Sequence, residues 1–162
     1  MNFIKIISAR KQLKFASQEF KKGNFNDALN YCNIAIEKAK DFDQSYFMRG
    51  IVYTLLQKWE KAIPDLMRIK KVRPESPLLF YYIGISEIGC GNVKEGISYL
   101  DEQIQITPER GMLYMHKAIA YKDIGNFDEA IKCIERGIEI CPTNFHYQLI
   151  KSDVLILQNK ND

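Results

Sequence analysis

Apolar and small residues return along this chain every 34 positions. Ala16, Gly50, Gly84 and Ala118 share one column of that period; Phe25, Trp59, Val93 and Phe127 share a second; Ala28, Ala62, Gly96 and Ala130 a third. Gly23, Gly91 and Gly125 form a fourth, with Gln57 in the remaining copy, and Pro74, Pro108 and Pro142 a fifth. Five columns in one register define an internal repeat of a length that builds a solenoid, each unit burying its apolar face by stacking on its neighbours. Within a unit the pattern is helix–turn–helix. Small residues in the first and third columns let two helices cross close to each other's backbone. The glycine ends the first helix in a left-handed conformation, and Asn24, Asn92 or Asn126 follows as turn and cap residue for the second helix. The aromatic after it fills the gap between the paired helices. Proline closes the second helix, because it cannot continue one and restricts its predecessor. Pro64, early in a second helix, is tolerated there at the loss of one backbone bond. The expected fold is all-α, with nine helices in antiparallel pairs and no sheet.

The copies carry more than a period. Tyr46, Arg49, Gly50, Tyr53, Trp59, Ala62, Leu66 and Pro74 are spaced like the tetratricopeptide repeat signature, and Tyr114, Ala118, Tyr121, Gly125, Phe127, Ala130, Ile134 and Pro142 repeat it. The chain therefore resembles that family over residues 9–144. The first copy lacks the terminal proline, and the third is looser, with Val93 for the aromatic and Gly96 for the alanine. The resemblance implies an alpha-alpha superhelix (a TPR solenoid) of about four repeats: a lead-in at 1–8, repeats at 9–42, 43–76, 77–110 and 111–144, and a C-terminal capping helix and tail at 145–162. Arg49 and Lys117 stand where the family has leucine, which suggests adapted groove edges.

The ends of the array read as caps, since terminal repeats must cover an apolar face with polar residues. In copies two to four the first helix would face the preceding repeat with Ser45 and Val52, Leu79 and Ser86, then Leu113 and Ala120. Copy one has Lys11 and Gln18 there. Phe145 to about Gln158 reads as a helix without a partner, its free face carrying Gln148, Lys151, Ser152 and Leu155, so the array is expected to stop there.

In this family the first helices line a concave groove whose non-signature residues choose the ligand. The same register places Leu13 and Ser17, Phe47 and Ile51, Tyr81 and Ile85, Met115 and Ile119, then Leu149 and Asp153 on that face, with Thr54, Ile88 and Lys122 one turn on. The candidate partner-binding residues are Phe47, Ile51, Tyr81, Ile85, Met115, Ile119, Thr54, Ile88 and Lys122. Apolar residues at helical spacing also build cores, but the signature positions already supply one here, and a surplus apolar face marks a contact site. Tyr81, central and aromatic, is expected to be the strongest anchor. Family members that grip acidic chaperone tails use Lys and Asn on the first helix and Lys and Arg on the third. The corresponding residues here are Leu13, Ser17, Leu78 and Tyr82, so that carboxylate clamp is missing.

Composition narrows the classes. The 162 residues carry a net charge of +3 with 46% apolar and 27% charged residues, the balance of a folded globular chain. No apolar run is long enough to span a bilayer. Residues 1–40 hold eight Lys or Arg against three Asp or Glu. That basic first helix could meet an acidic partner or an anionic surface, or be a solvated face. Its acid-poor start also has the composition of a transit peptide, against which stands its unbroken run into the first helix. Nucleic acid is disfavoured, because the basic residues form no stripe with regular aromatic neighbours. Cys32, Cys90, Cys133 and Cys141 make no CxxC pair or metal spacing, and residues 133 and 141 on one helix stand about 12 Å apart, too far for a disulfide. A reducing, cytoplasmic compartment is expected, with no cofactor and no metal. His116 and His146 have no ligand companions. There is no phosphate loop, nucleophile elbow or zinc helix. The pairs Asp101–Glu102 and Asp128–Glu129 are read as helix-start or turn residues complementing the helix dipole. No catalytic residue is assigned. The expected function is an adaptor, scaffold or co-chaperone-like module that binds a peptide segment of another protein. Two alternatives are a secretion-type chaperone, with Phe3–Ile7 as its dimerisation segment, and an RNA or anionic-surface binder acting through the first helix. Monomer and homodimer both stay open.

Overall fold

The computed structural model describes residues 3–161; Met1, Asn2 and Asp162, the extremes of the lead-in and tail, lie outside the described residues. The chain forms α1 (Phe3–Lys21), α2 (Phe25–Lys38), α3 (Asp43–Leu55), α4 (Trp59–Val72), α5 (Leu79–Gly89), α6 (Val93–Ile106), α7 (Gly111–Asp123), α8 (Phe127–Ile140) and α9 (His146–Asn161), with no strand among the described residues. Helices α1 and α2, α3 and α4, α5 and α6, and α7 and α8 pack as pairs. Each odd-numbered helix also touches the next odd one, so α1, α3, α5, α7 and α9 form one continuous wall. This is the all-α superhelix the columns predict.

The same turn joins every pair. The amides of Gly23, Gln57, Gly91 and Gly125 donate to the carbonyls of Phe20, Thr54, Ile88 and Lys122, and those of Asn24, Lys58, Asn92 and Asn126 to Glu19, Tyr53, Glu87 and Tyr121. Together these bonds satisfy carbonyls that a helix C-terminus would leave bare. The turn requires positive φ, and the three glycines take +82°, +90° and +74°. Gln57 adopts the same conformation at φ 56° with a Cβ that disfavours it. The asparagines that follow divide their roles differently from the sequence expectation. Only Asn126 caps with its side chain, accepting from the Glu129 amide. Asn24 and Asn92 instead donate backwards, to Glu19 and Glu87.

The small-residue columns meet where the paired helices cross. At the α5–α6 crossing both helices use glycine. A methyl on Gly84 would stand 2.8 Å from the Gly96 carbonyl, and one on Gly96 would stand 2.6 Å from the Gly84 carbonyl. The third copy is thus a closer crossing rather than a degraded one. Trp59 does more than fill its own pair, because its ring lies on the bare backbone of Gly89 in the next odd helix.

The residues read as facing the preceding repeat, Ser45, Val52, Leu79, Ser86, Leu113 and Ala120, are all fully buried, whereas Lys11 and Gln18 are exposed. Arg49 and Lys117 do not edge a groove. Arg49 forks onto Asp65 (2.7 and 2.9 Å) and donates to Asn33, and Lys117 pairs with Asp101 on α6. The Asp65 hydrogen bonds hold the Arg49 guanidinium above its ordinary value. For Lys117 burial works downward, and the Asp101 contact outweighs it. Asp101 and Glu102 accordingly lie well inside α6, not at a helix start, while Asp128 and Glu129 do occupy the first turn of α8. Helix α9 docks through Tyr147, whose ring covers Gly137 of α8, and through the buried Val154.

Candidate functional site: an apolar inner wall

Helices α3, α5, α7 and α9 bring the predicted binding residues onto one wall, two neighbours per helix one turn apart. Phe47, Ile51, Ile85, Ile88, Met115, Ile119 and Lys122 are half-buried. Of these, Phe47 packs against the core around Leu66 and Ile83, Ile85 and Ile88 against that around Leu100 and Leu113, and Met115 against that around Ile134. They therefore serve core and surface together, held from behind and open in front.

Two predicted residues lie deeper. Thr54 is 3% exposed; its hydroxyl bonds the Gly50 carbonyl and meets Ser86 Oγ of α5 at 2.9 Å, tying α3 to α5. Tyr81 is 8% exposed, with its hydroxyl 3.2 Å from His116 Nε2 on α7. Burial pushes the Tyr81 phenol up to about 12 and pulls the His116 imidazole down, so both are neutral at physiological pH. Tyr81 thus has its wet end already occupied, and it supports the wall from within instead of projecting from it.

The wall continues past the predicted set. Leu149 and Ile156 of α9 fall in the same columns as Met115 and Lys122 and are 55% and 52% exposed. Continuing the 34-residue register by one copy is the signal that finds Ile156. Asp153 stands between them, exposed. Of the residues of the missing carboxylate clamp, Leu78 precedes α5 in a left-handed conformation, and Tyr82 packs edge-on against Tyr81.

Chemistry is sparse elsewhere. Among the described residues no group of three His, Cys, Asp or Glu could hold a metal ion. Burial pushes the Cys32 and Cys133 thiols up to about 12 and about 11, which suits packing residues rather than nucleophiles. A cleft of about 310 Å³ opens between Lys5, Ile6 and the α2–α3 loop, and one of about 320 Å³ between Pro77, Leu78, Gln103 and Arg110; neither contains a predicted binding residue. No described helix is long and apolar enough to cross a membrane.

Comparison with known proteins places the architecture. The tetratricopeptide repeat family profile matches residues 112–144. Among solved structures, MamA 41-end from Desulfovibrio magneticus RS-1 superposes with a TM-score of 0.75 at 15% identity, covering 94% of this chain and 92% of that one. MamA of strain MSR-1 superposes with a TM-score of 0.72 at 20% identity over 82% and 76%. A thermophilic TPR protein of Thermus thermophilus gives 0.71 at 13% over 91% and 81%. At these identities the likeness concerns the fold. A search of curated proteins finds no match.

Proposed function

From the premise that this chain is a tetratricopeptide-repeat protein, we propose that it is a non-catalytic adaptor that holds an apolar peptide segment of another protein against its inner wall. The observation that carries the reading is the strip of Phe47, Ile51, Ile85, Ile88, Met115 and Ile119, half-buried on successive odd helices and prolonged by the exposed Leu149 and Ile156. The repeats are taken as 9–42, 43–76, 77–110 and 111–144, so that each contributes its first helix to the strip. Lys122 lies at the strip's edge and Asp153 near its end, two charges that orient a bound segment. Two or three apolar anchors would each gain roughly 1.5–3 kcal/mol. After the costs of association a Kd in the micromolar range follows. A cytoplasmic setting suits the four free thiols.

A phage-displayed random peptide library panned on the full chain tests this, with Ile119→Glu and Leu149→Glu as counter-screens. Enriched peptides should share two or three apolar residues at fixed spacing, lose binding at least about tenfold on either variant, and keep it at high salt. Peptides that are acidic and salt-sensitive, or that bind both variants as well as the parent, would remove the strip from consideration. Ile119 and Leu149 are chosen because neither belongs to a buried core cluster.

A further inference from the structure

One face of α1 combines exposed apolar side chains with a run of cations. Phe3 and Ile7 are 74% and 53% exposed in its first two turns, with Ile4 between them also exposed. Arg10, Lys11 and Lys14 follow on the same side of the helix, all exposed, and none forms an ion pair with a described residue. The residues at 3–18 contain no carboxylate, and the first acid, Glu19, is engaged by Lys22 and Asn24. Lys5 points elsewhere, toward the cleft it shares with Glu37 and Asp41. Within this face Lys11 stands in the column that α3, α5 and α7 bury against the preceding helix with Ser45, Leu79 and Leu113, and here nothing precedes it among the described residues.

We infer that the α1 face is a docking site for an anionic lipid surface, with Phe3, Ile4 and Ile7 entering the headgroup–acyl boundary and Arg10, Lys11 and Lys14 lying along the phosphates. Charge complementarity selects an anionic occupant, because three exposed cations form no ion pair with a described carboxylate. The apolar side chains beside them select one with an oily interior. A nucleic-acid backbone would use the cations and leave Phe3 and Ile7 in water. A second copy of this chain offers little net charge to attract them, since residues 41–162 carry fifteen Lys or Arg against seventeen Asp or Glu. The combination is that of a helix that lies on a membrane without spanning it.

Co-sedimentation of the full chain with phosphatidylcholine vesicles, with and without about a third of phosphatidylserine, tests the inference. Basic residues near an anionic surface are drawn to it, so the serine-containing vesicles should bind at least about tenfold more tightly, and raised salt should reverse this. Arg10→Gln/Lys11→Gln/Lys14→Gln should abolish the anionic preference. Phe3→Ser/Ile7→Ser should lower binding to anionic vesicles about tenfold, and both variants should keep the parental circular dichroism because the replaced side chains are exposed. Equal binding to both vesicle types, or anionic binding untouched by Phe3→Ser/Ile7→Ser, would overturn the inference. So would a single-stranded RNA oligomer that binds the parent and the apolar variant equally and competes vesicles off. Loss of exposure of α1 in a dimer detected by light scattering would overturn it as well.

Discussion

Replacing Gly96 by alanine should weaken the protein, although alanine is what the other three copies carry at that column. Two effects oppose each other. Helix propensity favours alanine over glycine in a helix interior by about 1 kcal/mol. Against this, the new methyl would meet Ile88 Cγ1 at 2.5 Å, the Gly84 carbonyl oxygen at 2.6 Å and the Ile88 amide nitrogen at 3.0 Å, where ordinary contact begins at 3.4 Å. Two of the three obstacles are backbone and cannot rotate away, so α5 and α6 would have to separate by roughly 0.8 Å in a close-packed interior. Overpacking of this kind costs typically 1–3 kcal/mol, and backbone obstacles put it in the upper half of that range. The net expectation is a loss of about 1–2 kcal/mol. For a chain of this size that is a fall in Tm of about 3–6 °C, read by circular dichroism melting. A Gly96→Ala protein melting at or above the parent would refute the close-crossing argument and restore the view of the third copy as a loosely matched repeat.

Gln57→Gly should act the other way, raising stability by about 0.5–1 kcal/mol in urea unfolding, because glycine adopts φ 56° without the Cβ penalty and the turn's hydrogen bonds involve only backbone; an unchanged or lower midpoint would mean that the Gln57 side chain contributes to the turn. His116 makes stability depend on pH. Its folded pKa is depressed by burial below the ordinary 6.5, so its contribution is complete above that value and is lost as pH falls from there through the folded pKa. Denaturant midpoints measured on either side of pH 6.5 should show the loss in the parent and a shallower one in His116→Gln. Equal slopes would assign the acid sensitivity to other groups.

Much of this architecture is legible from spacing alone. The turn glycines, the small crossing residues and the inter-repeat faces from Ser45 to Ala120 are properties of columns, and a column survives wherever its local geometry repeats. What spacing conceals is contact between columns. Arg49 and Lys117 read as departures from a leucine column, and only the folded chain shows each carrying its own carboxylate on a neighbouring helix. Tyr81 reads as the central anchor because its column is the one expected to line a groove. Its depth is decided by His116 from the next odd helix, which no periodicity within its own helix reports. The start of α5 is hidden for a different reason. Leu78 turns left-handed at φ 58°, so the helix begins at Leu79, later in its unit than α3 or α7.

The column that holds Arg49 reaches back sixteen residues to the preceding even helix: Arg49 to Asn33, Lys117 to Asp101 and Lys151 to Glu135, with Ile83 and Met67 in one apolar cluster at the equivalent place. At the last of these joints the ring of Tyr147 lies over the bare backbone of Gly137. The units are therefore not interchangeable bricks, even though their length and signature are common. Excising residues 77–110 would remove α5 and α6 as one whole unit and keep the period of the rest, yet bring the ammonium of Lys117 against the thioether of Met67. Excising 111–144 would give Lys151 a carboxylate in Asp101 but set the ring of Tyr147 on Gln103. Loss of either unit leaves a mismatched joint, as removing a piece does from a chain of keyed links.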